Sequence, residues 1–327
     1  MKVLVTGAAG YVGSHVVVAL GEHGHDAVAL DDLSRGHREA LARAERLAGR
    51  SVPLEVGDLC NRAFVDRVIA AHRPDVVIHC AAYKSVGESV EHPERYERNN
   101  VLATRTLADA MDAAGLRRVV YASTGSVYGD AEVLPTPEDA PLAPANPYSA
   151  TKAEGERILA RRERAVASLR FFNVCGAHPS GDLGEFGEGS PNLIPVILQR
   201  LAASTPSITV FGTDYPTRDG TCVRDYVHVC DVAEAAVLAA ELLSRHDAGA
   251  WTWNIGTGRG STVLEVVAAV SRAAGVSVEA IPGPRRPGDS VAWVADPARA
   301  RADLGFTARY DLDAMARTAV AWARATS

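Results

Sequence analysis

The sequence predicts an α/β protein, a doubly wound parallel sheet followed by a smaller mixed α/β C-terminal lobe. Three observations carry this reading. Short β-branched or apolar runs alternate with helix-like stretches over the first half of the chain. Those runs are apolar along their whole length, as strands covered on both faces require. Near residue 176 the texture changes to Gly-, Pro- and Ser-rich chain, which marks irregular loop.

In order, the predicted strands are KVLVT (2–6), DAVALD (26–31), VPLEVGD (52–58), DVVIHCAA (75–82), RVVYAS (118–123) and VASLRFFN (166–173). Amphipathic stretches over 11–23, 61–72, 95–114 and 148–164 predict the helices between them. GAHPSGDLGEFGEGSPN follows as loop, then helix 191–203, strand SITVFG (207–212) and a polar loop over 213–223. Helix 231–244, strand WTWNIG (251–256), helix 262–274, strand VSVEAI (276–281), the loop PGPRRPGDS and a helical region from about 296 complete the chain.

Composition bounds the function. The chain has 327 residues, 47% hydrophobic and 23% charged, a globular mix with ample core. Its 34 basic and 40 acidic residues, a net of −6, argue against a nucleic-acid partner. The richest apolar stretch, DVAEAAVLAAELL, is interrupted by acids, so no membrane span is expected. MKVLVTGAAG enters a strand and a turn at once, which reads as a chain without a leader. Five scattered cysteines (Cys60, Cys80, Cys175, Cys222, Cys230) with no C-x-x-C predict a reduced, cytoplasmic protein without a metal.

VLVTGAAGYVG sets Gly7, Gly10 and Gly13 between the first strand and a helix opening at Tyr11 and Val12. Glycines there permit a tight turn and close backbone approach, and the helix N-terminus offers free N–H groups to a pyrophosphate. Alone, the triad fits an ordinary strand–turn–helix equally well. Asp31, however, ends the next strand 18 residues after Gly13, where an acid accepts ribose hydroxyls. With Asp32 beside it, this predicts a Rossmann-type nucleotide site over residues 1–175 and NAD rather than NADP, a preference that Arg35 weakens slightly. The remainder, 176–327, reads mainly as a substrate lobe, with segments near 225–256 expected to pack back onto the first domain. Asp58 closes the third strand, placed either for an adenine edge or as a cap for the helix near Asn61.

The fifth strand ends in YASTGSVYG, putting Ser123, Thr124 and Ser126 at the carboxyl edge of the sheet, where ligands of such folds lie. Asn146 and Pro147 then start a helix carrying Tyr148 and Lys152 one turn apart on one face. Tyr-x-x-x-Lys arises by chance in many helices; its position after a hydroxyl-tipped strand is what suggests acid–base chemistry. A lysine cation beside the phenol is expected to lower its pKa from about 10 toward neutral. Glu154 and Glu156 read as solvated face.

TGAAGYVG, the strand-tip hydroxyls and YSATK together resemble the extended short-chain dehydrogenase/reductase superfamily. GESVEHPERYERNNVLAT, RFFNVCGAHPSG, FGTDYPTRDGTCVRDYVHV and RRPGDSVAWVAD resemble, in order and across nearly the whole chain, the UDP-glucose (UDP-galactose) 4-epimerases. The resemblance implies reversible epimerisation at C4 of a UDP-hexose through a transient 4-keto sugar, with NAD as hydride carrier. It assigns Tyr148 as base, Lys152 as ribose anchor and tuner, and Thr124 as a bridge, where the family often has serine. It implies cofactor contacts from Gly7, Gly10, Tyr11, Val12, Gly13, Asp31, Asp32, Asp58, Leu59, Ala81, Ala82, Lys84, Asn99, Ser123 and Phe172. On the substrate side it implies Lys84, Ser126, Asn173, Asn192, Leu193, Thr209, Phe211, Arg224, Tyr226, Arg286, Asp289 and Trp293. Arg224 and Arg286 can grip a diphosphate, Asp289 a ribose hydroxyl, and Phe211 would lie against uracil. Trp293 stands where the family carries a small or a bulky residue, and its bulk predicts exclusion of N-acetylhexosamines. A homodimer through the 95–114 and 148–164 helices is expected. A 4,6-dehydratase is disfavoured because no carboxylate follows Thr124; a UDP-pentose or UDP-uronate epimerase and a non-catalytic NAD-binding protein stay open.

Overall fold

A computed structural model describes residues 1–160, 163–187, 190–286 and 289–326. Parts of three predicted segments, 161–162 of the helix over 148–164 and 188–189 and 287–288 of the two loops, lie outside the described residues, as does Ser327. The strands are β1 (Lys2–Thr6), β2 (Asp26–Asp31), β3 (Leu54–Val56), β4 (Val76–His79), β5 (Arg118–Thr124), β6 (Ala165–Phe171), β7 (Asn173–Cys175), β8 (Ser207–Phe211), β9 (Val223–His228), β10 (Gly249–Ile255), β11 (Gly260–Thr262), β12 (Glu279–Gly283) and β13 (Ala292–Trp293). The helices are α1 (Tyr11–Glu22), α2 (Arg38–Ala48), α3 (Arg62–His72), α4 (Val86–Glu91), α5 (Pro93–Tyr96), α6 (Ala103–Ala113), α7 (Pro147–Leu159), α8 (Leu193–Arg200), α9 (Val229–Leu243), α10 (Val263–Ala274), α11 (Ala298–Leu304) and α12 (Leu312–Thr326).

Seven strands form one sheet in the order β10-β6-β5-β4-β1-β2-β3, parallel throughout. The order reverses between β1 and β4, which opens a crevice at the carboxyl ends of those strands. Helices α1, α2 and α9 share one core with the sheet, and α3, α6 and α7 share another on the opposite face. Double coverage explains the run of buried residues in β1, β2 and β6. This is the Rossmann-type α/β fold that the alternating pattern predicts.

The remaining strands are short. β9 pairs with β7, β11 and β13, while β8 pairs with β12. Helices α8, α10 and α12 bury a third apolar cluster around Ile208 and Tyr226. The run 166–173, predicted as one strand, splits at Phe172. β6 stays in the large sheet, the Phe172 amide turns to the Ile255 carbonyl, and β7 crosses to β9. The helix predicted over 95–114 is three pieces, α5, a π-helical turn over Glu97–Leu102 and α6. Helices α2 and α4 and strands β9, β11 and β13 have no counterpart among the predicted elements.

Candidate active site

The crevice at the sheet edge continues into one cleft of about 2320 Å³, larger than the roughly 300–1,000 Å³ that holds one drug-sized ligand. Every candidate site residue named above lines it. One end is the glycine turn. Gly7 has φ +68°, and a Cβ at Gly13 would stand 2.1 Å from the Gly7 carbonyl oxygen, so α1 approaches β1 only because that side chain is missing. Gly10, the N-cap of α1, offers no side-chain acceptor, which leaves the first-turn amides of Tyr11, Val12 and Gly13 facing the cleft. That cradle fits the pyrophosphate of a dinucleotide. Tyr11 also donates to the Gly176 carbonyl at 2.5 Å, tying the turn to the far wall.

Asp31 is buried and accepts from the Ala9 and Leu33 amides at 2.9 and 2.8 Å. Burial raises its pKa against those two bonds. Asp32 accepts from the Ser34 amide and hydroxyl. Asp58 accepts from the Cys60 amide and pairs with Arg98, while Asn61, not Asp58, caps α3 by accepting from the Phe64 amide. Leu59 is buried, and Ala81, Ala82 and Asn99 border the same end of the cleft. Lys84 is bonded to Glu185 across the cleft at 2.6 Å.

At the centre, β5 delivers its hydroxyls to α7. Asn146 caps α7 by accepting from the Ser149 amide at 2.9 Å, and Pro147 occupies the first turn. Thr124 and Ser126 are 3.1 Å apart through their hydroxyls, and Ser149 donates to Ser126 at 2.8 Å. Tyr148 faces the same cleft as Thr124, and its ring meets Tyr96 edge-on at 6.5 Å. Lys152 is buried, its ammonium 4.3 Å from the centre of the Tyr121 ring. Burial pushes the Tyr148 phenol up to about 12, opposed by the nearby Thr124 hydroxyl. Burial likewise draws Lys152 down to about 8, opposed by Cys80 and Glu156. The expectation of a phenol brought toward neutrality is therefore not met by the protein alone, because loss of solvation outweighs the neighbouring groups.

At the other end, Arg224 donates to the Ser290 carbonyl at 2.9 Å and stands 3.6 Å from Asp289. The Arg286 guanidinium lies 3.8 Å over the Phe211 ring, the face expected to meet a base. Asn192 stands at the N-cap position of α8 without a side-chain capping bond, and Leu193 opens the helix; Asn173 lies beside Tyr226 in the β7–β9 ladder, and Thr209 is in β8. Trp293 is paired with Arg224 in register and packs on Phe172 at 5.2 Å.

Several cleft residues were invisible to sequence reasoning. Phe186 stacks on His37 and its neighbour Glu185 reaches Lys84, contacts supplied by a loop that reads only as Gly-rich. Glu88 gathers Arg35, Arg95 and the Tyr96 hydroxyl behind Tyr148. Behind the cleft, Glu156, read as solvated, is buried against Arg170; an acid eight residues after the tyrosine, on its helical face, was the available signal.

The glycine cradle and the hydroxyl–tyrosine–lysine centre define a nicotinamide-dependent enzyme of the NAD dependent epimerase/dehydratase family, whose model matches residues 3–256. Over 328 residues the chain is 44% identical to a UDP-glucose 4-epimerase of Bacillus subtilis (strain 168), covering 98% of this chain and 96% of that one. It is 45% identical to one from Azospirillum brasilense, covering 99% and 92%. A UDP-glucose-4-epimerase from Stenotrophomonas maltophila, solved with bound NAD and formylated UDP-arabinopyranose, superposes with a TM-score of 0.96 at 41% identity, covering 100% and 98%. The chain belongs to the UDP-glucose 4-epimerases of that family. It is an NAD-dependent epimerase of UDP-hexoses. Among the described residues no helix is long and apolar enough to cross a membrane.

Proposed function

We propose that Tyr148 takes and returns the proton of the sugar's C4 hydroxyl, Thr124 bridges that hydroxyl to the phenol, and Lys152 anchors the nicotinamide ribose. NAD, when bound, supplies the hydride acceptor and a positive ring charge beside the phenol. The observation that carries the assignment is the convergence of Thr124, Tyr148 and Lys152 midway along a cleft with an anion cradle at one end and arginines at the other. A buried phenol at about 12 and a buried lysine at about 8 respond strongly to added charge, which suits a proton shuttle. Arg224 and Arg286 grip the diphosphate on release from Asp289 and Phe211, and Asp289 then accepts from the uridine ribose. Residues 1–175 hold the cofactor and 176–327 mainly the UDP-sugar; pairing of β10 with β6 supports return of the 225–256 region to the first unit.

Specificity rests on Trp293, wedged against Phe172 where an acetamido group would need space. UDP-galactose and UDP-glucose are the proposed pair. UDP-pentoses are a second reading, favoured by the arabinopyranose nucleotide bound to the Stenotrophomonas relative. The working form is a cytoplasmic homodimer: five free cysteines suit a reducing compartment, and exposed Leu102 in the 95–114 segment suits a helical interface. The test is conversion across a UDP-sugar panel without added acceptor, by wild type and Tyr148→Phe, with mass measured in solution. Tyr148→Phe should lose about 10²- to 10⁴-fold in kcat. Equal rates for the two proteins, or kcat/KM on UDP-GlcNAc within about tenfold of UDP-glucose, a gap worth roughly 1.4 kcal/mol, would overturn the base or the pocket assignment respectively.

A further inference from the structure

Behind the tyrosine and lysine lies a buried ionic network that the chemistry above does not use. Glu156 sits on α7 four residues after Lys152 and eight after Tyr148, on the same side of the helix. Its Oε1 accepts from the Ser123 hydroxyl at 2.5 Å and from Arg170 Nε at 3.0 Å; Oε2 accepts from the Arg170 terminal nitrogen at 2.8 Å. Ser123 and Arg170 are register partners across β5 and β6, so two adjacent strands aim at one carboxylate. The remaining Arg170 nitrogen donates to the Tyr128 hydroxyl at 2.8 Å and the Glu138 carbonyl at 3.1 Å, and Tyr128 donates to Asn254 on β10 at 2.7 Å. All three central groups are buried. One residue earlier, α7 presses on the sheet so closely that a Cβ at Gly155 would lie 2.2 Å from the Tyr121 hydroxyl.

A buried ion pair is a weak means of gaining stability, since apolar side chains of similar volume often do as well or better. Its geometric effect here is specific. Ser123 immediately precedes Thr124, and Glu156 is one turn from Lys152, so the bond between them spans strand tip and helix beside the reacting groups. We propose that Glu156 and Arg170 are positioning residues for epimerisation, setting the rotation of α7 on β5 and β6 and with it the placement of Tyr148 and Lys152 relative to Thr124. The inference rests on the assignment of those three as the reacting groups. Glu156 is also a carboxylate that sustains the Lys152 charge, so its loss moves the pH range in which that lysine is cationic downward.

The experiment compares NAD-loaded wild type, Glu156→Leu/Arg170→Met, Glu156→Ala, Glu156→Gln and Tyr148→Phe. The double variant replaces both charges and should unfold at or above the wild-type urea midpoint. Its KM for UDP-galactose should stay within about twofold while kcat falls roughly 10- to 100-fold, the scale expected of a displacement near 1 Å. The pH above which its kcat stops rising should move lower. If the double variant does not fold, the single variants decide. Glu156→Gln keeps an acceptor for Ser123 and should lose less than about tenfold per NAD-loaded site, and Glu156→Ala more, at unchanged KM. The double variant or Glu156→Ala, folded and NAD-loaded, that keeps kcat within about threefold and the wild-type pH profile would overturn the inference, as would a change confined to KM. Full activity in Tyr148→Phe would instead overturn the assignment on which it rests.

Discussion

Replacing Lys152 with methionine tests how the buried phenol becomes a base. A phenol at about 12 is ionised in only about one molecule in ten thousand at pH 8. A cation within reach lowers such a group by roughly 1–3 pH units. Methionine fills the space over Tyr121 without the charge, so Lys152→Met should lower kcat about 10- to 10³-fold at a fixed pH. The sign follows: phenolate forms as pH rises, and without the cation the ascending limb moves to higher pH by that same interval. Burial holds Lys152 near 8, so in the wild type the rise in activity flattens above that pH, where loss of the lysine charge offsets the growth of phenolate. The variant should lack this flattening and keep rising through that pH. The assay is kcat against pH at saturating UDP-galactose on protein of verified NAD content. A loss equal at every pH, with the flattening still in place, would refute the electrostatic role and leave Lys152 only as a ribose contact.

Two further outcomes follow from the packing. His15, His79 and His228 are buried and held by burial at about 4, 3 and 3, so they stay neutral in the fold while the unfolded chain protonates them near 6.5. Their contribution is complete above about 6.5 and is lost as pH falls toward those values, about 2 kcal/mol each at pH 5 and roughly 6 together. Urea midpoints at pH 7.5 and 5.0 should differ accordingly, and an unchanged midpoint would contradict the burial argument. Gly13→Ala should abolish NAD retention, read as nucleotide released on denaturation, because its Cβ would lie 2.1 Å from the Gly7 oxygen. Gly87→Ala, which meets nothing within 4 Å, should retain NAD at the wild-type level.

Local patterns were legible where one segment decides its own structure. β1 and β2 carry continuous apolar runs and match their predicted bounds, and Asn146–Pro147 marks the start of α7 by cap and fixed φ. Boundaries failed where tertiary pairing overrides the run. Asn173 reads as the end of β6 but is taken by β9, whose own sequence VRDYVH mixes charge and apolar residues because it serves a small sheet. Helix α2 was missed although its apolar positions Ala40, Leu41 and Ala44 lie on one buried face.

The sequence by itself determined the kind of chemistry: glycines where a helix must crowd a strand, an acid at the second strand's end, and a tyrosine and lysine one turn apart. Each is set by contacts within one or two adjoining elements, so spacing encodes it. Tertiary structure alone decided the state of those groups. Burial, set by chain distant in sequence, raises the phenol and lowers the lysine. The fate of Glu156 depends on Ser123 and Arg170, 33 residues before it and 14 after. A glutamate on a helix looks solvated until two neighbouring strands bring it partners, and periodicity carries no information about that register.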